Sequence, residues 1–168
     1  MKQLIVVFIF FSFLTACGQT KSGDYWSNLP QPTGWVNDFD HLYTKAQQKT
    51  LDSLIADYEQ KTSVEISLVT IPVTATDKKR FLDLTLHIAN TWAVGKKDKN
   101  NGILIGISKE YRTIRIQNGL GIEKLISDNQ TKEIIDHYFI PHFKKGDFFK
   151  GSYDGITAIT KVLDEANR

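Results

Sequence analysis

Cysteine is almost missing from this chain. There is one in 168 residues, Cys17, which excludes a disulfide framework and a thiolate metal centre within the folded part. Proline is nearly as scarce, and two of the four, Pro30 and Pro32, share one short polar stretch. Neither charge dominates: 21 Lys and Arg against 19 Asp and Glu leave a net charge of +2, so composition gives no case for nucleic-acid binding. After the first 17 residues no apolar run approaches the ~20 residues of a membrane-spanning helix. There is no P-loop. Gly119-Leu120-Gly121 lacks the third glycine of a dinucleotide loop, and Glu123 would repel a phosphate there. The histidines, His41, His87, His137 and His142, are scattered, and the last two flank Pro141, which argues against a histidine metal site. No serine or threonine sits in a nucleophile-elbow context.

What is present fits one globular domain. Apolar residues make up 41% and charged residues 24% of the chain, ordinary proportions for a packed core. The N-terminus has its own logic. Lys2 is followed by an apolar run through Leu14 and then Thr15-Ala16-Cys17, the basic start, apolar core and small-residue cleavage zone of a secretory signal. Leu14-Thr15-Ala16-Cys17 resembles the bacterial lipobox. Residues 1–16 are expected to be a lipoprotein signal peptide, with Cys17 lipidated and anchored at a membrane. Gly18 after the cysteine favours the outer membrane, facing the periplasm, if the cell has two membranes. Residues 17–34, polar and punctuated by Gly, Ser and Pro, read as a tether, whose Tyr25 and Trp26 dock on the domain, meet the lipid interface or stay exposed.

The folded part follows as helix-strand-helix-strand-strand-helix-helix. Thr44 and Gln47 form a capping-box pattern ahead of a stripe of Leu51, Leu54, Ile55 and Tyr58 at helical spacing. Residues 64–71 are rich in β-branched side chains, and Pro72 stops them. Thr76 or Asp77 caps a second helix with the stripe Phe81, Leu84, Ile88 and Trp92, closed by Gly95. Ile103-Leu104-Ile105-Gly106-Ile107 is apolar on both faces, a sheet centre. A tight turn at Lys109-Glu110 makes the next strand, 112–117, antiparallel to it, whereas the crossover from 64–71 makes those two strands parallel. Ser127 and Gln130 repeat the capping box, Pro141 is expected to end the third helix, and Gly146-Asp147 opens the fourth, whose Gly151 and Gly155 suit close packing on the sheet. The expected fold is a three-layer α/β/α sandwich, a small mixed sheet flanked by about four helices.

Taken together these pieces resemble the TPM domain, also called the TPM phosphatase family. The matching pieces are Val36-Asn37-Asp38, Trp92-x-x-Gly95, Asn101-Gly102-Ile103-Leu104, residues 112–116, Gly119-x-Gly121-x-Glu123, Asp128 and Pro141-x-Phe143-x-x-Gly146-Asp147-Phe148. The resemblance covers about 35–163, and the TPM domain is assigned to 35–168. Leu120 stands where the family usually has an aromatic, and Lys124 where a glycine is common. The resemblance implies an α/β sandwich, a cell-envelope or organelle-membrane location, and an acidic cleft that holds a divalent cation in some members. Acid phosphatase activity is attributed to plant relatives, and accessory roles in membrane complexes to others.

Three acids carry the site hypothesis. Asp38, Glu123 and Asp128 converge if the first extended segment and the segment after the third strand meet at one end of the sheet. Asn37, Gly119 and Gly121 would then shape the loop around them. Oxygen ligands suit Ca²⁺ or Mg²⁺ better than Zn²⁺, and a cation would relieve the repulsion among three carboxylates. The plainer reading is that Asp128 complements a helix dipole and Asp38 caps a turn. Arg112 and Arg115 are read as strand arginines covering apolar surface. Three functions stay open: a membrane-tethered accessory factor that binds a divalent cation and meets an envelope protein partner, a metal-assisted phosphatase on phosphomonoesters, and a structural lipoprotein without a site.

Overall fold

The computed structural model describes residues 24–166. The signal peptide, Cys17 and the first part of the tether lie outside the described residues.

Four strands form one sheet in the order β1 (Val36–Asp38), β2 (Glu65–Thr70), β3 (Gly102–Ser108) and β4 (Thr113–Asn118). β2 and β3 run parallel and β4 antiparallel to β3, as the crossover and the tight turn imply; β1, expected only as an extended segment before the first helix, is a fourth strand and pairs parallel with β2. The sheet is mixed and helices cover both faces, the expected α/β/α sandwich. Every residue of β3 is buried. Ile103, Ile105 and Ile107 face one core, and Leu104 belongs to the other, because successive side chains of a strand point to opposite faces.

The larger core lies under α1 (Lys45–Thr62) and α5 (Phe148–Ala166). Thr44 and Gln47 complete both halves of the capping box on α1. Leu51, Ile55 and Tyr58, the stripe expected from their spacing, are buried. The smaller core lies under α2 (Phe81–Thr91), through Phe81, Leu84 and Ile88. Asp77 caps the 3-10 turn Lys78–Arg80 that leads into α2, accepting from the Lys79 and Arg80 N–H groups.

Three local expectations are corrected. Pro141 does not end the third helix. α3 (Asp128–Ile134) passes through a π-helical turn, Ile135–Phe139, into α4 (Ile140–Phe143). Pro141 then falls in the first turn of α4, where its missing N–H costs little. Gly151 and Gly155 pack on aromatic rings rather than on the sheet: a Cβ on Gly155 would lie 2.0 Å from the Phe139 ring, and one on Gly151 would lie 2.6 Å from the Phe143 ring. Gly95 lies beyond the C-cap of α2, which is Trp92. Its backbone at φ 103° instead runs against Gly102, where a Cβ would meet the Gly102 nitrogen at 2.4 Å.

Of the places left open for Tyr25 and Trp26, the structure shows the domain. From Asp24 onward the chain lies on the domain. The Tyr25 N–H donates to the Ala75 carbonyl (3.2 Å), and the Tyr25 ring is buried edge-on to Phe39. The Trp26 indole stacks on His87 with the Arg80 guanidinium over it, and its Nε1 donates to Thr76 Oγ1. Trp92 Nε1 donates to the Pro30 carbonyl at 3.0 Å. Two indoles each with a hydrogen-bond partner and an apolar seat explain why a polar, proline-containing stretch is held down.

Candidate functional site

The carboxyl ends of β1, β2 and β3 share one edge of the sheet, where ligands of open α/β sheets usually bind. Asp38 is the last residue of β1 and is in register with Thr70, which is in register with Ile107. Its carboxylate is fully engaged. Oδ1 accepts from the Leu42 N–H (2.9 Å) and Thr70 Oγ1 (2.6 Å), and Oδ2 accepts from the Tyr43 N–H (2.9 Å) and Gln48 Nε2 (3.0 Å). A carboxylate has about four lone-pair positions, and here all are taken. Asp38 therefore ties the loop after β1 to β2 and to α1. Thr70 relays the tie, since its Oγ1 also accepts the Asp40 N–H at 2.9 Å.

That loop delivers Asp40, and the β3–β4 turn delivers Glu110 beside it. Asp40 Oδ2 is buried without a hydrogen-bond partner. Its carboxyl pKa is pushed up to about 6, first by burial and then by a carboxyl–carboxyl hydrogen bond with Glu110 and the charge of that group, with Lys109 pulling the other way and Asp38 adding a smaller push, so Oδ2 lacks a partner only while both carboxyls are ionised. Ser108, the last residue of β3, also buries its hydroxyl without a partner. Sequence reasoning missed Asp40 and Glu110. The signal is present in the sequence: Phe39-Asp40 and Lys109-Glu110 each follow a strand of the parallel set, whereas the glycines that suggested a site follow β4.

The other acids lie elsewhere. β4 is antiparallel, so Asn118 at its end pairs with Ile103 at the start of β3. The four steps from Ile103 to Ile107 separate the two edges by about 13 Å at the rise of a strand. Glu123 and Asp128 are exposed at the far edge. The structure therefore does not bring Asp38, Glu123 and Asp128 together. Asp128 occupies the first turn of α3 behind the Ser127–Gln130 capping box, a position that suits the helix dipole. Gly119 and Gly121 also have local duties: the Gly121 N–H donates to the Asn100 carbonyl at 2.9 Å, and a Cβ on Gly121 would lie 2.2 Å from the Lys99 carbonyl oxygen. Asn37 is buried and closes its own turn, its Nδ2 donating to the Gly34 carbonyl and its Oδ1 accepting the Thr33 N–H.

Beside Glu110 a cleft of about 710 Å³ opens between the β3–β4 turn and the α4–α5 junction. Ile114, Ile140, Phe143 and Phe148 form its apolar lining, and Lys109, Arg112 and Lys144 bring positive charge. Arg112 is exposed in the turn before β4 at φ 50°, a left-handed conformation, so it belongs to the cleft and not to a strand face. Among the described residues no three His, Cys, Asp or Glu side chains converge closely enough to hold a metal. Asp40 and Glu110 are a two-carboxylate donor set. Such a pair fits Mg²⁺ or Ca²⁺, which keep waters as their remaining ligands, and the unpartnered Asp40 Oδ2 is the oxygen that a cation would satisfy.

The sheet order, with one antiparallel edge strand and this loop-built edge, agrees with comparison to known proteins. Residues 36–162 match the family model of the TPM domain. The chain belongs to the TPM domain family. Among solved structures, this TPM domain is similar to the N-terminal domain of a protein from P. gingivalis, at 32% identity and a TM-score of 0.71, over 79% of this chain and 83% of that one. BA42 from the psychrophilic bacterium Bizionia argentinensis shares the fold at 24% identity and a TM-score of 0.66, over 76% of this chain and 86% of that one. The N-terminal domain of cg2496 from Corynebacterium glutamicum shares it at 12% identity and a TM-score of 0.54, over 77% and 79% respectively. Comparison with curated proteins returned no match.

Proposed function

We propose that this TPM domain is held at the bacterial cell envelope by lipid on Cys17, binds a divalent cation between Asp40 and Glu110, and serves there as an accessory factor to an envelope protein. One observation carries the cation reading: a buried carboxylate oxygen, Asp40 Oδ2, has no partner when ionised and stands next to a second carboxyl, and burial together with that neighbour raises its pKa to about 6. Two carboxylates held together favour a bound cation, because it offsets the repulsion between them once both are ionised. An accessory role is supported by what surrounds the pair. Among the described residues no serine, threonine or tyrosine hydroxyl is hydrogen-bonded to a histidine, so an activated nucleophile of the usual kind has no base.

The test is a melting experiment at neutral pH with Ca²⁺, Mg²⁺ and Zn²⁺ in turn. Binding to the native state raises the melting temperature by mass action, worth about 2.7 kcal/mol at a hundredfold excess over Kd. Ca²⁺ or Mg²⁺ is expected to shift the wild type, and Asp40→Asn or Glu110→Gln to remove the shift. A shift that survives both substitutions would place the cation elsewhere.

The cleft favours a second reading, a metal-assisted phosphatase. Lys109, Arg112 and Lys144 can neutralise a phosphomonoester beside the carboxylate pair, and a bound cation would polarise the phosphoryl oxygens. Cation-dependent hydrolysis of p-nitrophenyl phosphate that falls at least tenfold in Arg112→Ala would favour this reading. Activity indifferent to Arg112→Ala and Asp40→Asn would refute it.

A further inference from the structure

Six large apolar side chains are exposed among the described residues: Val73, Leu82, Leu86, Leu120, Tyr138 and Tyr153. Three of them lie in the β2–α2 connection and on α2. Leu82 and Leu86 are 49% and 50% exposed and stand one helical turn apart, so they present one outward row. Val73, 38% exposed, is on the 3-10 turn Val73–Ala75 that follows β2. Lys78 falls four positions before Leu82, on the same row, and neither Lys78 nor Lys79 forms an ion pair with a described residue.

The described chain begins on this same face. Tyr25 is bonded to Ala75, and Trp26 is clamped among Thr76, Arg80 and His87. Those contacts fix Asp24 beside the turns that lead into α2. Asp24 lies seven positions after Cys17, a span of at most about 25 Å when fully extended. A lipid on Cys17 would therefore hold the α2 face within a short distance of the bilayer.

The charges on this face nearly cancel. Lys78, Lys79 and Arg80 are offset by Asp24, Asp77 and Asp83, and Asp77 is occupied by backbone N–H groups. Attraction to lipid must then be mainly apolar. Three half-exposed side chains are too few to hold a protein on a membrane from free solution. A tether supplies the effective concentration that they lack, and the side chains then choose the orientation.

We propose that the α2 face, with Leu82 and Leu86 at its centre, lies on the lipid bilayer. The proposal rests on the lipid-anchor reading and is independent of the cation site. In this orientation α5 and the cleft lined by Phe143 and Phe148, on the opposite side of the sheet, face the aqueous phase.

The experiment uses the full lipidated chain reconstituted in phosphatidylcholine vesicles. The acylated Cys17 leaves no free thiol, so Leu86→Cys, Leu82→Cys and, as a control on α5, Tyr153→Cys each carry a single polarity-sensitive label. At positions 82 and 86 the label is expected to shift to the blue and to be quenched by brominated acyl chains at least threefold more than at 153. Protein that does not float with the vesicles overturns the anchor reading and this proposal together. Protein that floats, with 82, 86 and 153 equally open to aqueous iodide, overturns this proposal alone. Labels at 82 and 86 shielded from iodide but not reached by brominated lipid would show a protein or a second copy on the face, and would also overturn it.

Discussion

The two ends of the sheet carry the same kinds of residue and use them differently. At the carboxyl end of the parallel strands, Asp38 and Asp40 are partly buried, and the exposed Glu110 stands beside Asp40. One has all its acceptor positions filled, and another has a buried oxygen with none filled. At the opposite end, Glu123 and Asp128 point to solvent, and the glycines between β4 and α3 fit against the carbonyls of Lys99 and Asn100. The difference follows from strand direction. Parallel strands all end at one edge, so the loops leaving them meet. The antiparallel β4 carries whatever follows it to the other edge. An acid after a strand is a site candidate only if its strand ends where the others do.

Four substitutions test that contrast. The largest effect is expected at Asp38. Asp38→Ala removes four hydrogen bonds, two of them from backbone N–H groups of the loop after β1, and leaving such donors unpaired costs about 3 kcal/mol in total. Urea unfolding measures this. A loss below about 1 kcal/mol would mean that the loop does not depend on Asp38. Next comes the pH response of Asp40. Its folded pKa of about 6 lies above the ordinary 3.8, so between about pH 4 and 6 the folded state keeps a proton that the unfolded state has released. Without cation, stability should therefore fall as pH rises through that window. Asp40→Asn should flatten the slope. Cation affinity should move the opposite way and weaken as pH drops below about 6, because protons compete for the same carboxylate. The smallest effect belongs to the far edge: Glu123→Gln and Asp128→Asn should each change stability by less than about 0.5 kcal/mol, as exposed substitutions usually do. They should leave the cation response intact. A lost cation response in either variant would reverse the assignment of the two ends.

Much of the fold was legible because its signals are local. The capping boxes at Thr44 and Ser127, the stripes of α1 and α2, and the apolar run of β3 each declare themselves within a few residues. The open or misread places depend on partners far along the chain. Where Tyr25 and Trp26 would lie stayed open until Ala75, Thr76, Arg80 and His87 were beside them. Pro141 reads as a stop until a π-helical turn ahead of it absorbs the lost hydrogen bond. Gly151 and Gly155 read as sheet contacts until Phe143 and Phe139 occupy the space. The candidate site was legible only in its type, carboxylates with oxygen-ligand chemistry. Its members were not, because Asp40 and Glu110 are 70 positions apart and nothing local links them.

By itself, then, the sequence determined the main helices, the three longer strands with their parallel and antiparallel pairings, and the kind of chemistry available, since periodicity, capping and loop length act over short spans. Only the tertiary structure decided which acids meet. That choice belongs to the order and direction of the strands, which place the end of β1 and the end of β3 on one edge and send the end of β4 to the other.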